Sequence, residues 1–176
     1  MQIKLMDEAS LNMWVELRSQ LWPDHSCEAH LLDGQNILSC PDKYASFLAI
    51  TNESRAMAFA DAAVRYDYVN GCESSPVVYL EGIFVIPEQR GRGVAKRLVA
   101  AVQDWGVTKG CTEMASDASI DNPISCQMHQ ALGFEETERV IFFRKNRQTV
   151  KLIPDDAQVP LMVAERWLSV GIKASV

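Results

Sequence analysis

The stretch with the clearest chemical capacity is Arg90-Gly91-Arg92-Gly93-Val94-Ala95. It follows an apolar, β-branched and aromatic run from Val77 to Ile86, which reads as a strand buried on both faces and stopped by Pro87. Leu98, Val99 and Val102 come next at helical spacing. A strand feeding a glycine-rich turn into a helix N-terminus is a device for holding phosphate. Glycines let the backbone come close, unpaired amide N–H groups point outward, and the helix dipole favours negative charge. Arg90 and Arg92 add charge-assisted donors. The Lys-Ser/Thr ending of a nucleotide P-loop is missing, and so is the spacing of a dinucleotide fingerprint. The competing reading is an ordinary basic turn that caps a surface helix.

Other residues could do acid–base work. Glu81 stands inside an otherwise apolar strand, a placement that favours function over a plain outward-facing residue. Asp117 ends a strand, where sheets commonly bind ligands, or it caps the turn before Asn122. His25, His30 and His129 are not clustered in sequence. The cysteines, at 27, 40, 72, 111 and 126, are odd in number and contain no C-x-x-C. That pattern argues against a metal site and a disulfide framework, and for a reducing cytoplasm.

These groups need a scaffold. Ile3 to Met6 reads as a first strand, followed by a helix through Leu11, Trp14, Val15, Leu21 and Trp22 with Asp7 or Ser10 as cap and Pro23 as stop. A second short helix is expected over Glu28 to Leu32, before Gly34. Ser46 to Thr51 and Ala56 to Val69 read as strands joined at Asn52-Glu53-Ser54; the second carries Asp61, Arg65, Tyr66, Asp67 and Tyr68 and ends at Asn70-Gly71. After the central helix and Gly110 comes a strand from Cys111 to Ser116. Pro123 to Leu132 then reads as a helix capped by Asp121 or Asn122, and Thr137 to Phe143 as a last strand. Strands first and a βαβ unit in the middle give a mixed α+β sheet.

At 176 residues, with 48% hydrophobic and 23% charged content, the chain is of ordinary globular composition and most simply one domain. There is no apolar run long enough to span a membrane and no signal-peptide pattern at the N-terminus. A net charge of −6 disfavours nucleic acid and suits a cationic partner.

Arg-x-x-Gly-x-Ala directly after a strand resembles the acetyl-CoA signature of the GNAT acetyltransferases, whose loop holds the cofactor's pyrophosphate. Asn122 through Phe134, closing in HQALGF, resembles the GNAT helix that ends Tyr-x-x-x-Gly-Phe. Five segments are together similar to aminoglycoside 6′-N-acetyltransferases of the Acinetobacter-type branch: LRSQLW from Leu17, RYDYVNG from Arg65, SPVVYLEGIFV from Ser75, ASDASIDN from Ala115 and MHQALGF from Met128. The resemblance covers about residues 1–145, a GNAT acetyltransferase domain. Residues 146–176 form a C-terminal extension for which it implies nothing. In that extension Leu161, Ala164, Trp167 and Leu168 are spaced as an amphipathic helix.

The resemblance implies the GNAT acyltransferase fold, a central mixed and mostly antiparallel sheet flanked by helices. It implies transfer of acetyl from acetyl-CoA to the 6′-amine of an aminoglycoside by direct attack in a ternary complex, giving resistance, in a cytoplasmic homodimer without metal. Acetyl-CoA would lie against Phe84, Val85, Gln89, Arg90, Gly91, Arg92, Gly93, Val94, Ala95, Asn122, Ser125 and His129, with the Val85 backbone N–H as oxyanion donor. Asp117 is then the general base, and Glu81 could instead hold or deprotonate the amine. His129 stands where most GNAT helices carry Tyr. It is a proton donor to the thiolate, only a hydrogen-bond donor near the sulfur, or a satisfied interior histidine. Trp22, Tyr66, Asp67, Glu81 and Asp117 are the expected acceptor wall, although strand alternation would put Tyr66 and Asp67 on opposite faces. Two alternatives remain: a GNAT acting on another amine, such as a polyamine or protein N-terminus, and a catalytically silent acyl-CoA-binding module.

Overall fold

The computed structural model describes residues 1–145; the helix expected through Leu161 to Leu168 lies outside them. Five strands form one sheet in the order β1(Gln2–Leu5), β2(Tyr44–Ile50), β3(Ala56–Arg65), β4(Val77–Val85), β5(Glu113–Ser116). The first four pair antiparallel and β5 pairs parallel to β4, a mixed and mostly antiparallel sheet as expected. Helices α1(Leu11–Leu21) and α2(Cys27–Ser39) cover one face, and α3(Val94–Thr108) and α4(Pro123–Ala131) the other.

Each face has its own core. Trp14, Leu17, Leu21 and Trp22 of the α1 region pack on Leu48, Phe59 and Phe84. Val94, Leu98, Val99 and Val102 of α3, with Met128 of α4, pack on Ala58, Ala60, Leu80, Ile83 and Val85. The small side chains of β3 let α3 lie close to the sheet.

Some boundaries differ from expectation for identifiable reasons. Helix α2 runs past Leu32 to Ser39, because Gly34 is no terminator: its bare Cα admits Leu11 and Trp14, whose atoms would stand 2.4 and 2.8 Å from a Cβ there. The second long strand stops at Arg65, and Tyr66 to Val69 belong to the following loop. The alternation argument about Tyr66 and Asp67 therefore does not apply. Asn122, not Asp121, caps α4, accepting the Ser125 N–H at 3.0 Å. Thr137 to Phe143 forms no strand; Ile141, Phe142 and Phe143 are 80, 82 and 92% exposed. No sheet edge takes them up among the described residues, and β5 remains an edge strand.

Candidate functional site

The site is built around an irregularity in β4. Across β3 and β4, Asp61 faces Gly82 but Ala62 faces Leu80, so Glu81 is the extra residue of a β-bulge. The bulge exchanges the faces of the strand. Beyond it Phe84 points to the α1 core and Ile83 and Val85 to the α3 core; before it Leu80 and Val78 point to the α3 core and Tyr79 to the opposite side. A strict two-residue period cannot describe both halves.

Glu81 emerges beside Tyr79 rather than being buried between helices. Arg65, the last residue of β3, binds it through three contacts: Nε to Oε1 at 3.2 Å, and Nη2 to Oε1 and Oε2 at 2.8 and 3.0 Å. The same guanidinium lies 3.3 Å from the centroid of the Tyr79 ring. Tyr79 donates its phenolic hydrogen to Asp117 Oδ1 at 2.5 Å. Glu81, Arg65, Tyr79 and Asp117 thus form one chain of contacts. Burial raises the Glu81 carboxyl above its ordinary value; Arg65 opposes that rise, while Asp117 and Asp61 add to it. Burial, then the Asp117 charge, pushes the Tyr79 phenol well up, so it stays protonated and acts as a donor.

Parallel pairing of β4 with β5 ends at Leu80 and Ser116, whereas β4 continues to Val85. Beyond that point β5 has ended and β4 runs on without it, leaving a fork, and Asp117 stands exposed just past it. His129, on α4, closes one side. Its Nδ1 lies 2.7 Å from the Ser125 carbonyl oxygen, which only accepts, so Nδ1 carries a hydrogen. Its Nε2 is 2.9 Å from Ser116 Oγ and accepts from that hydroxyl when the ring is neutral. The Leu80 carbonyl, 3.2 Å from Ser116 Oγ across the fork, is the alternative acceptor for that single hydroxyl hydrogen. Both ring nitrogens of His129 are engaged by protein, while Ser125 is fully buried beneath them.

Past the end of β4, the chain makes a short 3-10 turn at Pro87–Gln89 and enters the Gly-Arg loop. Gly91 and Gly93 have φ of +69 and +74°, in the left-handed region that favours glycine. Gly93 is the N-cap of α3, and no side chain caps that helix, so its first-turn amides face outward. Arg90 donates from Nε to the Val85 carbonyl at 3.0 Å and braces the loop against β4, while Arg92 is exposed. Ala95 packs partly against the α3 core.

Among the expected acceptor residues, Glu81 and Asp117 come together at the fork, and Tyr66 and Asp67 are exposed in the loop that follows Arg65. Trp22 is placed differently. It is 8% exposed, inside the α1 core, with its ring against Gly82, where a Cβ would lie 2.4 Å from the indole. It backs the bulge instead of forming an open wall. Phe84 and Val85 have buried side chains; Phe84 pairs with Phe59 of β3, and the Val85 carbonyl accepts from Arg90. Arg65, Tyr79 and Ser116 were not singled out from sequence; Tyr79 carries a faint signal, a phenol two residues before an acid in an apolar strand. Among the described residues no group of three or more His, Cys, Asp or Glu side chains is placed to hold a metal ion.

The fold and the loop match known proteins. Residues 11–134 match the Acetyltransferase (GNAT) family model. The aminoglycoside N(6′)-acetyltransferase type 1 of Salmonella typhimurium is 61% identical over 82% of this chain and 99% of its own length. That of Acinetobacter baumannii is 48% identical over 83 and 99%. Among solved structures, AAC(6′)-Iy in complex with the bisubstrate analogue CoA-S-monomethyl-acetylneamine superposes with a TM-score of 0.79 at 61% identity, covering 82% of this chain and 97% of that one. A glycine-rich loop at the uncapped N-terminus of α3, a fork between parallel strands and these likenesses lead to one assignment: the chain belongs to the GNAT acetyltransferase family, in its aminoglycoside 6′-N-acetyltransferase branch.

Proposed function

We propose that the protein transfers the acetyl group of acetyl-CoA to the 6′-amine of aminoglycosides by direct attack in a ternary complex, and so confers resistance. The observation that carries this reading is the pair of carboxylates at the β4–β5 fork, adjoining a loop shaped for phosphate. A polycationic acceptor needs carboxylates, and a CoA pyrophosphate needs the uncapped α3 amides and Arg92. The pantetheine arm would pair with the backbone of Phe84 and Val85 where β4 has no β5 partner.

Division of labour follows from hydrogen bonds. Both Glu81 oxygens are already on Arg65, which suits a group that holds an ammonium rather than one that takes its proton. Asp117 accepts from Tyr79 on Oδ1 alone, which leaves Oδ2 for the amine proton. The neutral amine then attacks the thioester carbonyl carbon and the oxyanion is held by the Val85 N–H; as it collapses the C–S bond breaks, and the nitrogen's surplus proton passes to the departing thiolate through solvent, giving the amide and the CoA thiol. The engagement of both His129 nitrogens by protein groups favours the third role weighed for it, a satisfied histidine, over proton donation to the thiolate or a hydrogen bond to the sulfur.

The expected homodimer is supported by the open β5 edge and by the exposed Val140 to Phe143, which a second copy would cover. The five cysteines are all unpaired, in keeping with a cytoplasmic location, and among the described residues no helix is long and apolar enough to cross a membrane.

A thiol-release assay with acetyl-CoA and kanamycin, tobramycin, a 6′-hydroxyl aminoglycoside, spermidine and a peptide tests the reading. Turnover of the 6′-amino drugs and none of the 6′-hydroxyl analogue is expected. CoA binding without turnover of any aminoglycoside would refute it and leave a GNAT for another amine or a silent module.

A further inference from the structure

Behind the fork, on the α1 face of the sheet, lies a buried charged assembly that the chemistry above does not use. The Arg18 guanidinium is held between two indoles, its Cζ 4.7 Å from the Trp14 ring centroid and 4.8 Å from that of Trp22. Its Nη1 pairs with Asp33 Oδ2 of α2 at 2.5 Å, and its Nε lies 3.4 Å from Asp61 Oδ2 of β3. The Trp14 indole N–H donates to the other Asp61 oxygen at 2.8 Å. The Arg18 and Asp61 side chains are 17 and 7% exposed.

A buried ion pair contributes little net stability, since desolvation of two charges offsets most of their attraction. Its best-supported use is to hold one geometry among several. The neighbours say which geometry. Asp61 is the cross-strand partner of Gly82, the last regular pair before the bulge at Glu81. Trp22 presses on Gly82 itself, occupying the space a side chain would take. Helix α1 and strand β3 therefore grip the same residue, through one guanidinium, immediately beside the bulged carboxylate. The cofactor loop lies at the far end of β4, and α3 covers the other sheet face.

We propose that Trp14, Arg18, Trp22 and Asp61 form a positioning network that sets the β4 bulge, and through it the aim of Glu81 at the acceptor amine. This rests on the reading of Glu81 as the group that holds that amine. These four are positioning residues, acting through Glu81 without touching the reacting atoms. The planar guanidinium is specific to the role, because a lysine ammonium neither fills the slot between two indoles nor forks to two carboxylates.

The test is steady-state kinetics of Arg18→Lys, Asp61→Asn and Asp33→Asn, with kanamycin and acetyl-CoA varied in turn and thermal melts recorded alongside. For Arg18→Lys and Asp61→Asn the kanamycin KM should rise by about ten- to a hundredfold, the scale of a displacement of roughly 1 Å. The acetyl-CoA KM should stay within about twofold. Asp33 is half-exposed, so its variant keeps the fold even if the other two do not, and should shift the kanamycin KM by about threefold in the same direction. Lower melts with both KM values and kcat unchanged would assign the network to stability and overturn the proposal. An equal loss on both substrates would also overturn it. An idle wild type refutes the acceptor reading and the inference together; a working wild type with unmoved variants refutes the inference alone.

Discussion

Replacing Arg65 by Met separates the electrostatics of the fork from its packing. Arg65 gives Glu81 three hydrogen bonds and is its principal source of positive charge, while burial works against the ionised carboxylate. Breaking a fully buried pair by removing one partner costs about 3–5 kcal/mol, and an exposed pair contributes roughly 0–1 kcal/mol. With side chains 34 and 38% exposed, solvent screening places this pair between those limits, at about 2 kcal/mol. For a chain of this size that corresponds to a fall in Tm of about 4–8 °C. The pH dependence has a definite sign. The folded-state value of Glu81 is already raised, and loss of the opposing guanidinium raises it further. A carboxyl whose folded value exceeds its unfolded one destabilises the fold while ionised. The penalty is present in full above the folded value and vanishes as pH falls through it to the unfolded value of about 4.3. The Tm deficit of Arg65→Met should therefore be largest at pH 8 and shrink steadily toward pH 5. Loss of the guanidinium's contact with the Tyr79 ring contributes a part that does not vary with pH. Melts of both proteins from pH 8 to pH 5 at fixed ionic strength measure the difference. A deficit independent of pH, or one that grows on acidification, would refute the assignment of Arg65 as the counter-charge of Glu81.

Three shorter predictions concern the same framework. Tyr79→Phe removes the hydrogen bond to Asp117, a charge-assisted interaction of about 1.5–3 kcal/mol, and should lower kcat/KM for kanamycin by roughly ten- to a hundredfold with the acetyl-CoA KM unchanged; an unaltered kcat/KM would show that Asp117 needs no orienting donor. Gly82→Ala sets a methyl 2.4 Å from the Trp22 ring and should cost about 1–3 kcal/mol of stability, read as a lower Tm, because both the indole and the strand are held by the core. The double variant Phe142→Ser, Phe143→Ser should shift the sedimentation-equilibrium mass from twice 19.7 kDa to 19.7 kDa, and a wild type already at the lower mass would count against the dimer.

What the sequence makes legible is whatever physics confines to a short stretch. The β4 run, the glycine-rich turn and the α3 stripe each carry their own period, and all appear where their pattern places them. Pairing is harder to read, because it joins residues far apart in the chain. Arg65 reaches Glu81 and Tyr79 across two strands, and no local spacing announces that contact. The bulge is harder still, since a single unpaired residue reverses which side chains face which core, so alternation counted through Val77 to Val85 misassigns half the strand. Trp22 shows the consequence. Its position after α1 and its size suit a substrate wall or a core equally, and only the bare Cα of Gly82 decides between them. Thr137 to Phe143 fails as a strand for a related reason: β-branched and aromatic residues fit a pleated surface, but propensity does not supply the edge that must receive them. The residues whose chemistry matters most here, Glu81 and Asp117, were visible as acids in unusual places. Their division of labour was not, because it depends on which partner each carboxylate already has. A carboxylate with both oxygens on a guanidinium and one with an oxygen free are the same residue type in sequence and different reagents in the fold.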